Sequence, residues 1–189
     1  MLELLKKLLY NRKNDKRAVN IMDERMLAKD VLKKHWNGKL PVDLDRICAE
    51  NNIQIKYEHL EPLEENHGQG QISGVMFIQD KDNKFIVVNK KDNEKRQRFT
   101  IAHELGHYFL HMSDQDYENT SMVSFRGRSN KHEREANLFA AELLMPEDVV
   151  KREYELVLYP LASFLARRFD VSEAAMSVRI KEMGLKYIG

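Results

Sequence analysis

Cysteine is almost absent from this chain of 189 residues: Cys48 stands alone, so no intrachain disulfide can form and a reducing compartment suits it. Trp 1, Pro 4 and Gly 8 are too few for collagen-like, linker-rich or low-complexity architecture. A surplus of one charge is missing as well. With 31 basic and 30 acidic residues the net charge is +1, which offers no global electrostatic case for nucleic acid or a membrane surface. No apolar run approaches the roughly 18 residues needed to span a bilayer. The opening Met1-Leu2-Glu3-Leu4-Leu5-Lys6-Lys7-Leu8-Leu9 lacks the basic start and continuous apolar centre of a secretory signal. A cytoplasmic protein is expected. What is present, 42% hydrophobic and 32% charged residues, suits a globular chain with a buried core and a charge-rich surface.

Patterning divides the chain into three parts: a helical arm at residues 1–36, a core at 37–157 and a helical subdomain at 158–189. The arm reads as two amphipathic helices broken by a basic stretch around Arg12 and Arg17, the second carrying Ile21, Met22, Met26, Val31, Leu32 and Trp36. Asn37-Gly38 is a turn. Pro41 opens a helix reaching about Asn52, with Leu44, Ile47 and Cys48 inward and Cys48 an inert core thiol. Ile53–Tyr57 reads as a short strand. Gly68-Gln69-Gly70 lies in a polar loop without the strand–helix context of a phosphate-binding turn. Ile72–Gln79 and Phe85–Asn89 are β-rich runs around Asp80-Lys81-Asp82-Asn83-Lys84, and form a hairpin.

Inside the next apolar-periodic segment, a helix expected over about Asn93–Met112, stands His103-Glu104-Leu105-Gly106-His107. At this chain's His and Glu frequencies, chance supplies roughly 0.02 such pentads. Histidines four apart project from one helical face and can reach a single zinc ion, while Glu104 sits where it can take a proton from a water at the metal. A third ligand is required. His111 is about 12 Å along the axis from His103 and too distant to share one tetrahedral ion with it. A metzincin would need Gly and His where Leu110 and Ser113 stand. Further on, Ala136, Phe139, Ala140, Leu143 and Leu144 recur at helical spacing until Pro146, and small residues such as Ala136 and Ala140 would let this second helix lie against the first. It carries His132, Glu133 and Glu135. Glu133 shares a face with Asn137, as in gluzincins, where such a polar residue orients a ligand histidine. Glu133 is favoured, with Glu135 next; a merely solvated charged face is the bland alternative.

Arg98-Phe99-Thr100-Ile101-Ala102 before the pentad, Tyr108-Phe109-Leu110-His111 after it, and Glu133-x-x-Ala136-Asn137-x-Phe139-Ala140-Ala141-x-Leu143-Leu144-Met145-Pro146 resemble the ImmA/IrrE family of bacterial metallo-endopeptidases. The likeness runs from about Pro41 to near the C-terminus. It implies an α+β fold with a zincin-like, gluzincin-type core, in which a small β-sheet packs on the active-site helix, with additional N- and C-terminal helices. Carried over, His103, His107 and Glu133 hold zinc and Glu104 is the catalytic base, with Asn137 behind a ligand histidine. The implied substrate is a helix-turn-helix transcriptional regulator in a phage, mobile-element, toxin–antitoxin or stress-response circuit. In enzymes of this shape a strand before the zinc helix pairs with extended substrate, which makes either hairpin strand a candidate.

Met112–Asn130 is polar and aperiodic, suited equally to a lid over the site and to a solvated connector. Tyr117, Arg126, Arg128 and His132 are candidate oxyanion donors that no spacing separates. Residues 161–181 read as helix, turn and helix with Ser172 as N-cap, Ala166, Phe169, Val171, Met176 and Ile180 inward, and Arg179 and Lys181 on the second helix. Its Ser-Glu-Ala-Ala start offers little donor chemistry to base edges, so no direct nucleic-acid binding is expected. The alternative function is a zinc-containing sensor that sequesters a DNA-binding regulator without cutting it; an intact Glu104 speaks against it.

Overall fold

A computed structural model describes residues 21–60, 72–112, 120–125, 131–157 and 161–186. The expected first helix of the arm, the Gly68-Gln69-Gly70 loop, and Tyr117, Arg126 and Arg128 lie outside them. The described residues form an α+β fold. The elements are α1 (Ile21–His35), α2 (Leu44–Ala49), β1 (Ile53–Glu58), β2 (Ile72–Ile78), β3 (Lys84–Asn89), α3 (Glu94–His107) with a π turn (Tyr108–Met112), β4 (Thr120–Phe125), α4 (Lys131–Leu144), α5 (Glu147–Glu155), α6 (Ala162–Phe169) and α7 (Glu173–Glu182).

Local chemistry sets the element ends. Asn93 begins α3 by accepting a hydrogen bond from the Arg96 amide at 3.0 Å. Ser172 does the same for α7 through the Ala175 amide at 3.1 Å. Asp43, and not Pro41, caps the helix containing Cys48: its Oδ1 accepts from the Arg46 amide at 2.9 Å, so α2 starts at Leu44 and is shorter than the sequence suggests. Burial pushes the Cys48 thiol up to about 12, helped by Asp45 and Asp43, which leaves it inert. Between β2 and β3, Asp80 Oδ1 accepts from the amides of Asp82 and Asn83 at 2.8 and 2.9 Å, the side-chain turn that closes the hairpin.

The sheet has the order β1-β3-β2-β4, with β1 parallel to β3 and the other pairs antiparallel. Two expectations change here. The segment Met112–Asn130 contains a strand, β4, which pairs with β2. In consequence both hairpin strands are interior: β3 lies between β1 and β2, and β2 between β3 and β4. Neither has a free side to offer an extended peptide, and among the described residues the outer strand on this side of the sheet is β4. Met76, Ile78, Ile86 and Val88 join the main core beneath α3, while Ile72, Val75 and Leu60 make a smaller cluster.

The main core runs without a break from Ala28 of α1 to Ile180 of α7. At its centre α3 and α4 approach until a Cβ added at Gly106 would stand 3.0 Å from both the Cα and the carbonyl oxygen of Ala136. Those are backbone atoms that no rotamer change can move. Ala at a helix interior gains about 1 kcal/mol over Gly in propensity, whereas overpacking typically costs about 1–3 kcal/mol. Gly106→Ala is therefore expected to lower the denaturation midpoint and to weaken divalent-metal affinity, read by chelator competition; unchanged affinity would show that the spacing of the two helices is not critical.

Candidate metal centre

Helix α3 presents His103 and His107 on its buried face, and α4 presents Glu133 from its first turn. The two Nε2 atoms are 3.0 Å apart. Glu133 Oε2 is 3.1 Å from His103 Nε2 and its Oε1 is 3.2 Å from His107 Nε2. Donors around one tetrahedral zinc, with bonds of about 2.0–2.1 Å, stand about 3.3 Å from each other. The three donors are already near that spacing, and two imidazoles with one carboxylate match a three-ligand centre with one position left open. The imidazole planes stand at 83°, so the lone pairs converge instead of stacking.

His103 Nδ1 lies 3.0 Å from Asn137 Oδ1. Because that oxygen can only accept, Nδ1 carries a proton and donates, so Nε2, which faces Glu133 and His107, is the nitrogen available to a metal ion. His107 has no such support: its Nδ1 is buried with no hydrogen-bond partner among the described residues. Burial works against the charge of Glu133, but hydrogen bonds and positive charge from His103 and His107 outweigh it and hold its carboxyl at about 2. Burial likewise pulls His103 down, and Glu133 and Glu104 more than reverse this, raising it above its ordinary 6.5. Each partner thus favours the charged form of the other.

Glu104 is wholly buried beside the pair. Its place depends on Gly74 of β2, where an added Cβ would lie 2.4 Å from Thr100 Cγ2 and 3.1 Å from Glu104 Oε1. A side chain there would collide with the helix and press on the carboxylate. The sequence contains both glycines, yet no spacing rule marks Gly74 or Gly106 as contact points across elements.

The remaining candidates for the third ligand come together elsewhere. Glu135 is buried, but its Oε2 faces His111 Nε2 at 3.6 Å instead of the His103–His107 pair. His132 stacks on His111, with ring centroids 4.3 Å apart. Burial, with His132 and His107 adding to it, holds His111 down at about 4. The helix-turn-helix-like unit is also bound into the fold. Arg179 is 1% exposed; it pairs with the buried Glu142 and donates from Nε to the Met145 carbonyl at 3.1 Å. It therefore cannot reach a base edge. Asp170, in the turn, pairs with Lys95 of α3 and lies 3.6 Å from Arg98.

A helical histidine pair with a glutamate from a neighbouring helix is a donor set that could hold a metal ion with one position open. Residues 52–181, more than half the chain, match the family described as the IrrE N-terminal-like domain, Peptidase_M78, and the chain belongs to that family. Similar proteins include an "uncharacterized immunity region protein 2" of Bacillus phage phi105, 43% identical over 75 residues that make up 39% of this chain and 45% of that protein. The "metallopeptidase ImmA" of Bacillus subtilis (strain 168) is 29% identical over 117 residues, 61% of this chain and 66% of that one. The "radiation response metalloprotease IrrE" of Deinococcus radiodurans is 35% identical over 78 residues, 40% of this chain and 24% of that one. The chain thus spans less than two thirds of the length of each. The family is one of metallopeptidases, which implies a metal ion.

Removing Glu133 should cost this centre its ion, whereas removing Glu135 should not. Native mass spectrometry of Glu133→Ala and Glu135→Ala, each with and without His107→Ala, checks this: adding His107→Ala should remove no further zinc from Glu133→Ala but one more from Glu135→Ala, and the opposite pattern would reverse the assignment. Asn137→Ala should lower zinc affinity roughly 10–100-fold while leaving the stoichiometry of this centre intact.

Proposed function

We propose that this chain is a zinc-dependent endopeptidase with a zincin-like, gluzincin-type active site, in which His103, His107 and Glu133 hold the ion. The observation that carries the reading is the convergence of two Nε2 atoms and one carboxylate at 3.0–3.2 Å, with Glu104 buried alongside. The names of two relatives, a metallopeptidase and a metalloprotease, support peptide-bond hydrolysis.

A zinc ion there supplies Lewis acidity toward a peptide carbonyl and acidifies a water. Glu104 takes the proton of the attacking water and returns it to the leaving amine. Asn137 holds His103 in one tautomer, so its ring does not turn during turnover. A largely apolar groove of about 530 Å³ shares Phe99 and Asn137 with the surroundings of the site and continues along α4 and α7 past Leu138, Ala141 and Val178. It is suited to apolar side chains flanking the scissile bond. The edge strand β4 is the better candidate than either hairpin strand for pairing with extended substrate.

The proposed substrate is a helix-turn-helix transcriptional regulator, and the name of the phage immunity-region relative is consistent with a regulatory circuit. The buried Arg179 favours a protein substrate over direct DNA contact. Glu104→Gln keeps the shape and all three proposed ligands but removes the base. It should retain zinc and lose roughly 10²–10⁴-fold in the rate of cleavage of a regulator encoded beside this chain, followed by mass spectrometry of the fragments. Cleavage at the wild-type rate would contradict the assignment. Binding of the regulator without cleavage by the wild-type protein would leave the sequestering module as the better reading.

A further inference from the structure

Three side chains set aside as ligands of the first centre form a cluster of their own. His111 lies on the π turn that follows α3, His132 on the first turn of α4 and Glu135 just beyond that turn. One donor atom from each lies within 4.8 Å of the others. We propose that His111, His132 and Glu135 form a second divalent-cation site, of the zinc, nickel or copper class that two imidazoles and a carboxylate select. This inference does not depend on the proposed function.

The geometry favours an ion in several respects. The donors come from two elements, so the site is not an accident of one helical face. The π turn replaces the α-helical path over Tyr108–Met112, where His111 would otherwise simply extend the His103–His107 row. Its ring stands 5.7 Å from that of His107 and at 48° to it, turned toward α4. The Glu135 carboxylate divides its oxygens: Oε2 faces His111 at 3.6 Å, whereas Oε1 faces the Lys131 ammonium at 3.5 Å. One oxygen is thus directed at the cluster, and the lysine, on an exposed side chain, neutralises the other. The donors are more widely spread than in the first centre. An ion would draw them in chiefly by rotating His132, which is exposed and sits at the start of α4 where little packing opposes it.

The position gives the site a consequence. His111 and His132 bracket residues 112–131, the stretch of chain that holds β4. A metal bound by both would join the two described ends of the segment that carries β4. It would fix the edge strand in relation to the first metal centre, one helical turn away.

The test uses the full-length protein stripped of metal and titrated with zinc chloride at neutral pH. Native mass spectrometry gives the stoichiometry, and competition with a chromogenic chelator gives the affinities. Wild type should bind two zinc ions per chain, and His132→Ala one. His107→Ala should keep one, and the double variant none. Glu135→Gln should also bind one, with circular dichroism confirming that it folds. Three outcomes would overturn the proposal: a single ion in wild type that is lost in His107→Ala but kept in His132→Ala, two ions in wild type and still two in His132→Ala, or none in wild type. The first of these leaves the proposed protease centre standing. A single ion in wild type that survives in His107→Ala and is lost in His132→Ala would uphold the second site and sink the first. No zinc in wild type would remove both.

Discussion

The constraint on which the centre depends is the approach of α3 and α4 at Gly106 and Ala136. Donors from separate elements meet at a metal only if their backbones are held at one distance, and here glycine and alanine set that distance by having almost nothing between them. His103 and His107 lie on one side of this contact and Glu133 and Asn137 on the other, so a shift of the helices would part the carboxylate from both imidazoles and Asn137 from His103 together. Gly74 imposes the matching constraint on the opposite flank, where β2 closes against Thr100 and Glu104. The pentad thus acts as a helix gripped from two sides.

A second layer of interactions fixes the grip. The buried Arg179–Glu142 pair joins the C-terminal half of α4 to α7, and Glu142 also accepts from the Glu147 amide at 3.2 Å. Arg25 of α1 donates to Glu182 of α7 at 3.1 Å. Removing either partner of the buried Arg179–Glu142 pair strands a charge at a cost of about 3–5 kcal/mol, which gives that contact specificity even where its net contribution is small. The C-terminal helices accordingly serve as a brace for α4. Their likeness to a DNA-reading motif comes from the packing of two helices around a tight turn, and the arginine that such a motif would present to DNA is consumed by the brace.

The pentad, the capping residue Ser172, the hairpin and the inward face of α4 were legible because each follows a local rule of period or spacing. Glu133 was separable from Glu135 by helical phase with Asn137, and their surroundings differ as that phase implies. β4 was not legible, since Thr120-Ser121-Met122-Val123-Ser124-Phe125 has two serines and no strict alternation, and gains its strand form by pairing with β2. Calling either hairpin strand a docking edge failed for the same reason: an edge is defined by what does not pair, and the fourth strand was unseen. The burial of Arg179 was not legible because its partner Glu142 is 37 residues away. The meeting of His111, His132 and Glu135 depended on the π turn, which no periodicity announced.

The central claim is that two helices bring His103, His107 and Glu133 onto one metal ion. Anomalous diffraction at the zinc edge from crystals of the zinc-loaded protein tests it most directly. The account predicts a peak about 2.0–2.2 Å from His103 Nε2, His107 Nε2 and a Glu133 oxygen, with Asn137 still accepting from His103 Nδ1. Full zinc loading with no peak among these three side chains, or with another residue in the place of Glu133, would contradict it.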